Sequence, residues 1–180
     1  MRTPRIFFYV QHLLGIGHQM RAAALTRAMG QAGLEVHYVS GGFDDLPLEL
    51  GGARQHQLPP VRASDAGFSG LVDASGRLVD DAWWQTRATA LNSAYDTIRP
   101  DLLLIEGYPF ARRKFGRELL PLLRRARSAG QPVLGSLRDI LVAPSDQHKT
   151  NKAIEIVDEL FDALLVHGDP DFVPLTASLP

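Results

Sequence analysis

Apolar residues fall into two rhythms along this chain, and the rhythm switches at regular intervals. Ile6-Phe7-Phe8-Tyr9-Val10 is an unbroken run of β-branched and aromatic residues, the composition of a strand buried on both faces. From His18 to Ala32 the apolar positions Met20, Ala23, Ala24, Leu25, Ala28 and Met29 recur at helical spacing. Gly33 then stands where a left-handed cap closes a helix. Leu34 to Val39 predicts a second strand, ended by Ser40-Gly41-Gly42. Strand, helix and strand in one short stretch form a βαβ unit, with parallel pairing and a right-handed crossover.

The middle of the chain is less regular. Arg54 to Leu58 predicts a short strand before Pro59-Pro60. Residues 61 to 81 are rich in Ala, Ser, Gly and Asp, and within them Leu71-Val72 and Leu78-Val79 flank Asp73-Ala74-Ser75-Gly76 as a small hairpin would. A long polar connection in a compact domain is either a functional lid or a disordered surface loop, and both readings stand for 61 to 81. Ala82 to Ile98 predicts a helix with Trp83, Ala90, Leu91, Ala94 and Ile98 facing inward, stopped by Arg99-Pro100-Asp101. Leu102 to Ile105 is a third buried strand. Phe115 to Ala129 is helical, with Pro121 either kinking the helix or starting a second one. Val133 to Leu137 is a strand, Asn151 to Phe161 a helix and Ala163 to Val166 the last strand. The persistent alternation predicts a single α/β domain over residues 1–180, a doubly wound, mainly parallel sheet with helices on both faces.

Composition narrows the partners. The 180 residues carry 19 basic and 20 acidic side chains for a formal charge of -1, so nothing in the balance asks for nucleic acid. Cysteine is absent, which excludes a disulfide scaffold and a thiolate metal site. His12 and His37 have no ligand-spaced partners, so no metal is expected. The first apolar run is too short for a signal peptide, and no stretch approaches a membrane span. A soluble, cytoplasmic protein is expected. Arg112, Arg113, Lys114, Arg117, Arg124, Arg125 and Arg127 make one dense basic stretch. Arg113, Arg117 and Arg124 share a helix face that would suit anionic lipid headgroups at the inner membrane face or stay solvated.

In open parallel sheets ligands bind beyond the carboxyl ends of the strands. The segments there are Gln11 to His18, Ser40 to Phe43, Glu106-Gly107-Tyr108-Pro109, Arg138-Asp139 and His167-Gly168-Asp169. The first contains Gly15-Ile16-Gly17-His18. It is no dinucleotide fingerprint, because Met20 holds the third glycine position and the second strand ends in Val39-Ser40-Gly41 without an acid. It is no P-loop either, because His18-Gln19 follows where Lys-Ser/Thr belongs. What remains is a turn whose glycines let a ligand approach the backbone, ahead of a helix N-terminus. An imidazole at His18 can take a proton from a hydroxyl near neutral pH, making it a candidate base; a helix cap is the alternative. Gln11, Gly15, Gly17, Glu106, Tyr108, Arg138 and Asp139 are candidate acceptor- or phosphate-binding residues. Glu106 would orient a sugar hydroxyl or hold His18, unless it only pairs with Arg112 or Arg113. Arg138 with Asp139 would bind a polar acceptor or form an ion pair.

These residues resemble the N-terminal domain of GT-B glycosyltransferases. The first strand, the Gly-x-Gly-His turn and Arg21-Ala22-Ala23-Ala24-Leu25 carry the likeness, and it is nearest the MurG-like family 28 group. Residues 106–113 (Glu-Gly-Tyr-Pro-Phe-Ala-Arg-Arg), Glu118 to Leu123, Leu137 to Leu141 and Val166 to Pro170 extend it over nearly the whole chain. The resemblance implies one Rossmann-like half of the fold that binds a small-molecule or lipid-linked acceptor. A second half would bind the nucleotide sugar, a co-substrate, with no further cofactor. Gly15, Gly17 and His18 match the family loop, although Ile16 departs from its glycine richness. The chain stops at Leu179-Pro180, where an interdomain linker would begin, so a donor-binding half is expected in cis or in trans and the chain alone is expected to be inactive. Half of a nucleotide-sugar epimerase and a non-catalytic scaffold domain are the competing expectations.

Overall fold

Residues 6 to 10 become the buried part of strand β1 (Arg5–Val10), as a two-sided apolar run requires. The computed structural model describes residues 2–44, 47–67, 69–139, 147–169 and 171. Strand β2 (Glu35–Ser40) pairs in parallel with β1, Phe8 opposite Tyr38, and β3 (Arg54–Gln57) pairs in parallel with β2, Val39 opposite His56. Two short strands follow, β4 (Arg62–Ala63) and β5 (Leu71–Val72), antiparallel to each other. With β6 (Leu102–Glu106), β7 (Val133–Arg138) and β8 (Ala163–His167) the main sheet has six parallel strands in the order β3-β2-β1-β6-β7-β8. Helices surround it, so the architecture is the Rossmann-like α/β sheet the alternation predicts. The chain divides into two compact units, residues 1–103 and 104–180, with the seam inside β6.

In the first unit, helix α1 (Gly17–Gln31) buries Gln19, Ala22, Ala23 and Thr26. Of the predicted apolar positions Met20, Ala23, Ala24, Leu25, Ala28 and Met29, only Ala23 is buried. Met20, Ala24 and Ala28 are exposed and Leu25 half-buried. The helix seats itself by small side chains, which let its backbone approach the sheet more closely than Leu or Met would allow. Gly33 has φ 85°, and Leu34 N–H donates to the Met29 carbonyl at 3.0 Å, the left-handed close expected of Gly33. Helix α2 (Asp81–Ile98) starts at Asp80, whose carboxylate accepts the Trp83 N–H at 2.8 Å. Its buried side chains are Trp84, Arg87, Leu91, Tyr95 and Ile98. Leu91 and Ile98 agree with the sequence pattern, whereas Trp84 replaces Trp83 and the buried Arg87 has no counterpart in it. Tyr95 meets Phe7 of β1 edge-on at 6.1 Å.

Residues 61 to 81 form a folded segment of the first unit. Val61, Ala63 and Leu71 are buried, and Val72 bridges to Leu78 across the turn that the sequence predicts as a hairpin. Val61 N–H donates to Gly41 O and Ala63 N–H to Leu13 O, each at 3.2 Å, so the segment is fastened to the turns after β2 and β1. Phe68 lies outside the described residues. The carboxylate of Asp65 accepts from the hydroxyls of Ser69 and Ser64, which hold its pKa at about 2.

In the second unit a short 3-10 turn (Arg113–Phe115) leads into α3 (Gly116–Ser128), which runs through Pro121 as one helix. Glu118, Leu119, Leu122, Leu123 and Ala126 are buried on it. Of its basic residues, Arg124 pairs with Glu159 at 3.3 Å, and Arg127 pairs with Asp162. That places acidic partners on part of the face considered for lipid headgroups. Helix α4 (Gln147–Leu160) begins earlier than its apolar pattern suggests, with Thr150 as its first buried residue. Among the described residues no helix is long and apolar enough to cross a membrane.

Candidate functional site

The turn after β1 is built on a buried polar brace. Arg87 reaches from α2 with no exposed surface. One guanidinium nitrogen donates to the carbonyls of Gly41 (2.9 Å) and Pro59 (2.5 Å). The other donates to Gln11 Oε1 (2.6 Å) and Tyr9 Oη (3.3 Å). The Gln11 amide nitrogen in turn donates to the carbonyls of His12 (2.6 Å) and Val61 (3.3 Å). A buried cation survives only when its donors are met, and here backbone and side-chain oxygens meet them. Gln11 is fully buried with both ends of its amide engaged, so it shapes the turn from beneath.

Of the two glycines after β2, Gly41 leaves room for this brace and Gly42 for the His12 ring. A Cβ on Gly41 would stand 2.2 Å from Gln11 Oε1 and 2.3 Å from Arg87 Nη2. A Cβ on Gly42 would stand 2.1 Å from Cε1 of His12. Gln57 adds donations from its amide nitrogen to the carbonyls of Gly42 (2.9 Å) and Leu58 (2.8 Å).

The turn above the brace is different. Gly15 and Gly17 are exposed, neither has a positive φ, and a Cβ on either would meet nothing within 4 Å. Leu14, Ile16 and Met20 around them are large apolar side chains about half exposed, at 48%, 53% and 52%. Ile16 holds the cap position of α1 without a side-chain cap bond, so the first N–H groups of the helix receive no side-chain cap there. His18 lies inside the first turn of α1, past the cap position, and is half-buried. Its Nδ1 is 3.4 Å from Arg21 Nη2, a long contact in which only the guanidinium can donate.

A second polar group sits at the carboxyl ends of the strands in the second unit. Glu106, fully buried, accepts the Ser136 hydroxyl proton at Oε2 (2.5 Å), and Ser136 Oγ is 3.1 Å from His167 Nε2. With the hydroxyl proton given to the carboxylate, Nε2 supplies the proton of the second contact. Ser136 lies inside β7 and not in a segment beyond a strand end; its small polar side chain in an apolar strand is the signal the sequence carries. Asp139 packs on the Gly168 backbone, where a Cβ would fall 2.3 Å from that of Asp139, and its N–H donates to the His167 carbonyl at 3.3 Å. Arg138 is exposed. Tyr108 is buried among its own unit's residues, its hydroxyl 3.0 Å from the Cβ position of Gly116, and burial raises its pKa to about 12. It is a neutral phenol at any physiological pH. The stretches 137–141 and 166–170 that carried the resemblance end at residues 140, 141 and 170, which lie outside the described residues.

A further histidine pair, missed in the sequence, joins β2 and β3. His37 Nδ1 and His56 Nε2 are 2.8 Å apart, and His37 Nε2 is 3.1 Å from Glu35 Oε1. Burial lowers the pKa of both rings. Among the described residues no group of three or more acidic or histidine side chains could hold a metal.

No protein-family model and no curated protein matches this chain. Solved structures do. SsfS6, a glycosyltransferase of Streptomyces sp. SF2575, superposes with a TM-score of 0.58 at 16% identity over 96% of this chain and 52% of its own. UGT2 of Phytolacca americana, solved with UDP-2fluoro-glucose and pterostilbene, gives 0.57 at 12% identity over 98% and 50%. The calicheamicin glycosyltransferase CalG4 gives 0.55 at 13% identity over 100% and 51%. At such identities the likeness is one of fold. The chain has the fold of one half of a GT-B glycosyltransferase and spans about half the length of these neighbours.

Proposed function

We propose that this chain is the acceptor-binding half of a glycosyltransferase of the MurG-like kind. A donor-binding half, in cis or in trans, would hold the nucleotide sugar. The observation that carries the reading is the turn over the Arg87 brace. A glycine costs conformational entropy on folding, and its usual returns are a positive φ or a tight internal contact. Gly15 and Gly17 have neither. Their return is room for a ligand against the backbone, beside His18 and the open end of α1.

In the proposed reaction the acceptor hydroxyl attacks the anomeric carbon of the donor sugar. The bond to the leaving nucleoside diphosphate breaks, and His18 takes the hydroxyl proton. The Arg21 contact sharpens this role. It places the imidazole lone pair on Nδ1, so a base at that atom requires the acceptor hydroxyl to displace the guanidinium. Arg138 and Asp139 remain the second unit's groups for polar parts of the acceptor. Glu106 is fully buried and held by Ser136, so like Gln11 it shapes its own strand ends from within and does not touch the acceptor. The diphosphate must be stabilised as it departs, and the proposal assigns that work to the donor-binding half.

Incubation of the isolated chain with radiolabelled nucleotide sugars and acceptor extracts should give no turnover. Activity should appear when the donor-binding half is supplied. Robust transfer by the 180-residue chain alone would overturn the proposal.

A further inference from the structure

Among the described residues β3 has a neighbouring strand on one side only, and its side chains offer little to hold it there. Its four residues, Arg54-Gln55-His56-Gln57, include no apolar one; His56 is half-buried and the other three are exposed. Besides the parallel backbone pairing, what fastens this strand to β2 is a chain of two imidazoles. His37 of β2 is buried, and its ring stacks on that of His56 with 5.1 Å between centroids and 30° between planes.

The hydrogens of that chain are fixed from its far end. Glu35 Oε1, 3.1 Å from His37 Nε2, only accepts, so His37 carries its proton on Nε2 and a lone pair on Nδ1. His56 Nε2, 2.8 Å from that lone pair, is then the donor. Such a contact has room for one hydrogen. A single added proton leaves it intact, but with both rings charged N–H meets N–H, and the two titrate as a pair. Burial is the first reason that both rings resist charge. The charged groups bearing on them are Glu35 of β2, Arg54 of β3 and Arg5 of β1. Both arginines oppose charge on His37, and Arg54 opposes it on His56 as well. Glu35 favours it on His37, yet also pairs with Arg54 at 3.7 Å.

The residue after His56 supports the turn that follows β2. The Gln57 amide nitrogen donates to the carbonyls of Ser40 (3.3 Å), Gly42 (2.9 Å) and Leu58 (2.8 Å). The Gly41 carbonyl, between the first two, accepts from Arg87, whose guanidinium lies 5.5 Å from the centre of the Trp83 ring. We propose that the His37–His56 contact is an acid-opened clamp. Charging both rings frees β3 from β2, withdraws the Gln57 amide, and loosens the turn on which the Arg87 brace rests. The clamp belongs to the frame, and it operates whether or not the glycine turn above receives an acceptor.

The ligand-free chain supplies every readout. At about pH 7.5, nitrogen-15 NMR of the imidazoles should show the Nε2–H tautomer in both rings. Between about pH 7.5 and pH 5, the β3 amides bonded to β2 should lose protection by about tenfold or more, measured against open-chain exchange at each pH. Tryptophan emission, which comes from Trp83 and Trp84 alone, should change with the same midpoint while far-ultraviolet circular dichroism stays constant. His56→Gln should abolish both changes, because an amide can donate to a neutral His37 or turn over and accept from a charged one. His56→Ala should loosen β3 at every pH. An Nδ1–H tautomer of His37 at neutral pH, or both changes persisting in His56→Gln, would overturn the proposal. β3 opening with constant emission would overturn it too, because the clamp would not reach the brace. Emission that changes only as circular dichroism is lost would replace the clamp with global unfolding.

Discussion

Two pairs of glycines stand at neighbouring strand ends of the first unit, and their surroundings are opposite. Gly41 and Gly42 are filled spaces, each missing Cβ replaced by Gln11, Arg87 or His12 within 2.3 Å. Gly15 and Gly17 border open space. One pair is explained by the protein's own packing and the other is not. The comparison supports the proposed placing of the acceptor: against the pair with no internal reason to be glycine. It also separates frame from site. Arg87, Gln11 and Gly41 hold the turn in place, while Gly15, Gly17 and His18 form its outer surface.

Substitutions can break this comparison, and the largest effect falls on the frame. Arg87→Ala leaves the oxygens of Gly41, Pro59 and Gln11 without their donor in a buried place, and should lower stability by about 3 kcal/mol or more in denaturant titration. A loss below about 1 kcal/mol would mean the brace is not structural. Gly42→Ala and Gly41→Ala should each cost about 1–3 kcal/mol, because the atoms they strike are pinned by buried hydrogen bonds or belong to a rigid ring. Gly15→Ala and Gly17→Ala should change stability by less than about 0.5 kcal/mol, and Gly17→Ala lies in the first turn of α1, where alanine is favoured. Both should nevertheless weaken acceptor binding. Equal stability losses at all four glycines would erase the distinction.

The histidine pair calls for a control on acid experiments. Burial lowers the folded pKa of His37 and His56 below the ordinary imidazole value of about 6.5. An unfolded chain therefore binds more protons than the folded one below that value. The stability from these neutral rings is full above about pH 6.5 and is lost as pH falls through the folded pKa. Thermal melts from pH 7.5 down to pH 5 should show a falling Tm, and His56→Gln should flatten that fall. An unchanged slope would assign the acid sensitivity to other groups.

Much of the architecture was legible because apolar runs and turn residues act locally. The strands at Ile6, Leu102 and Val133 and the left-handed close at Gly33 followed from residue type alone. The inward face of α1 was legible only at Ala23, since hydrophobicity also marks Met20 and Leu25 while packing chose Ala22, Gln19 and Thr26. Arg87 was missed for a related reason: a charge in a helix reads as solvent-facing, and only the oxygens gathered by the turns after β1, β2 and β3 make its burial possible. Of the candidate site, the strand-end segments were legible by topology. The division of labour within them was not, because Gln11 and Gly15 look alike as turn residues until their neighbours are known.

The central claim is that the open turn presents His18 to an acceptor hydroxyl. Its most direct test is kcat of His18→Ala in the chain working with its donor-binding half, with Tm and acceptor affinity measured in parallel. The account predicts a fall in kcat of about 100-fold or more at unchanged Tm and nearly unchanged affinity. A kcat within about twofold of the unsubstituted protein would contradict it.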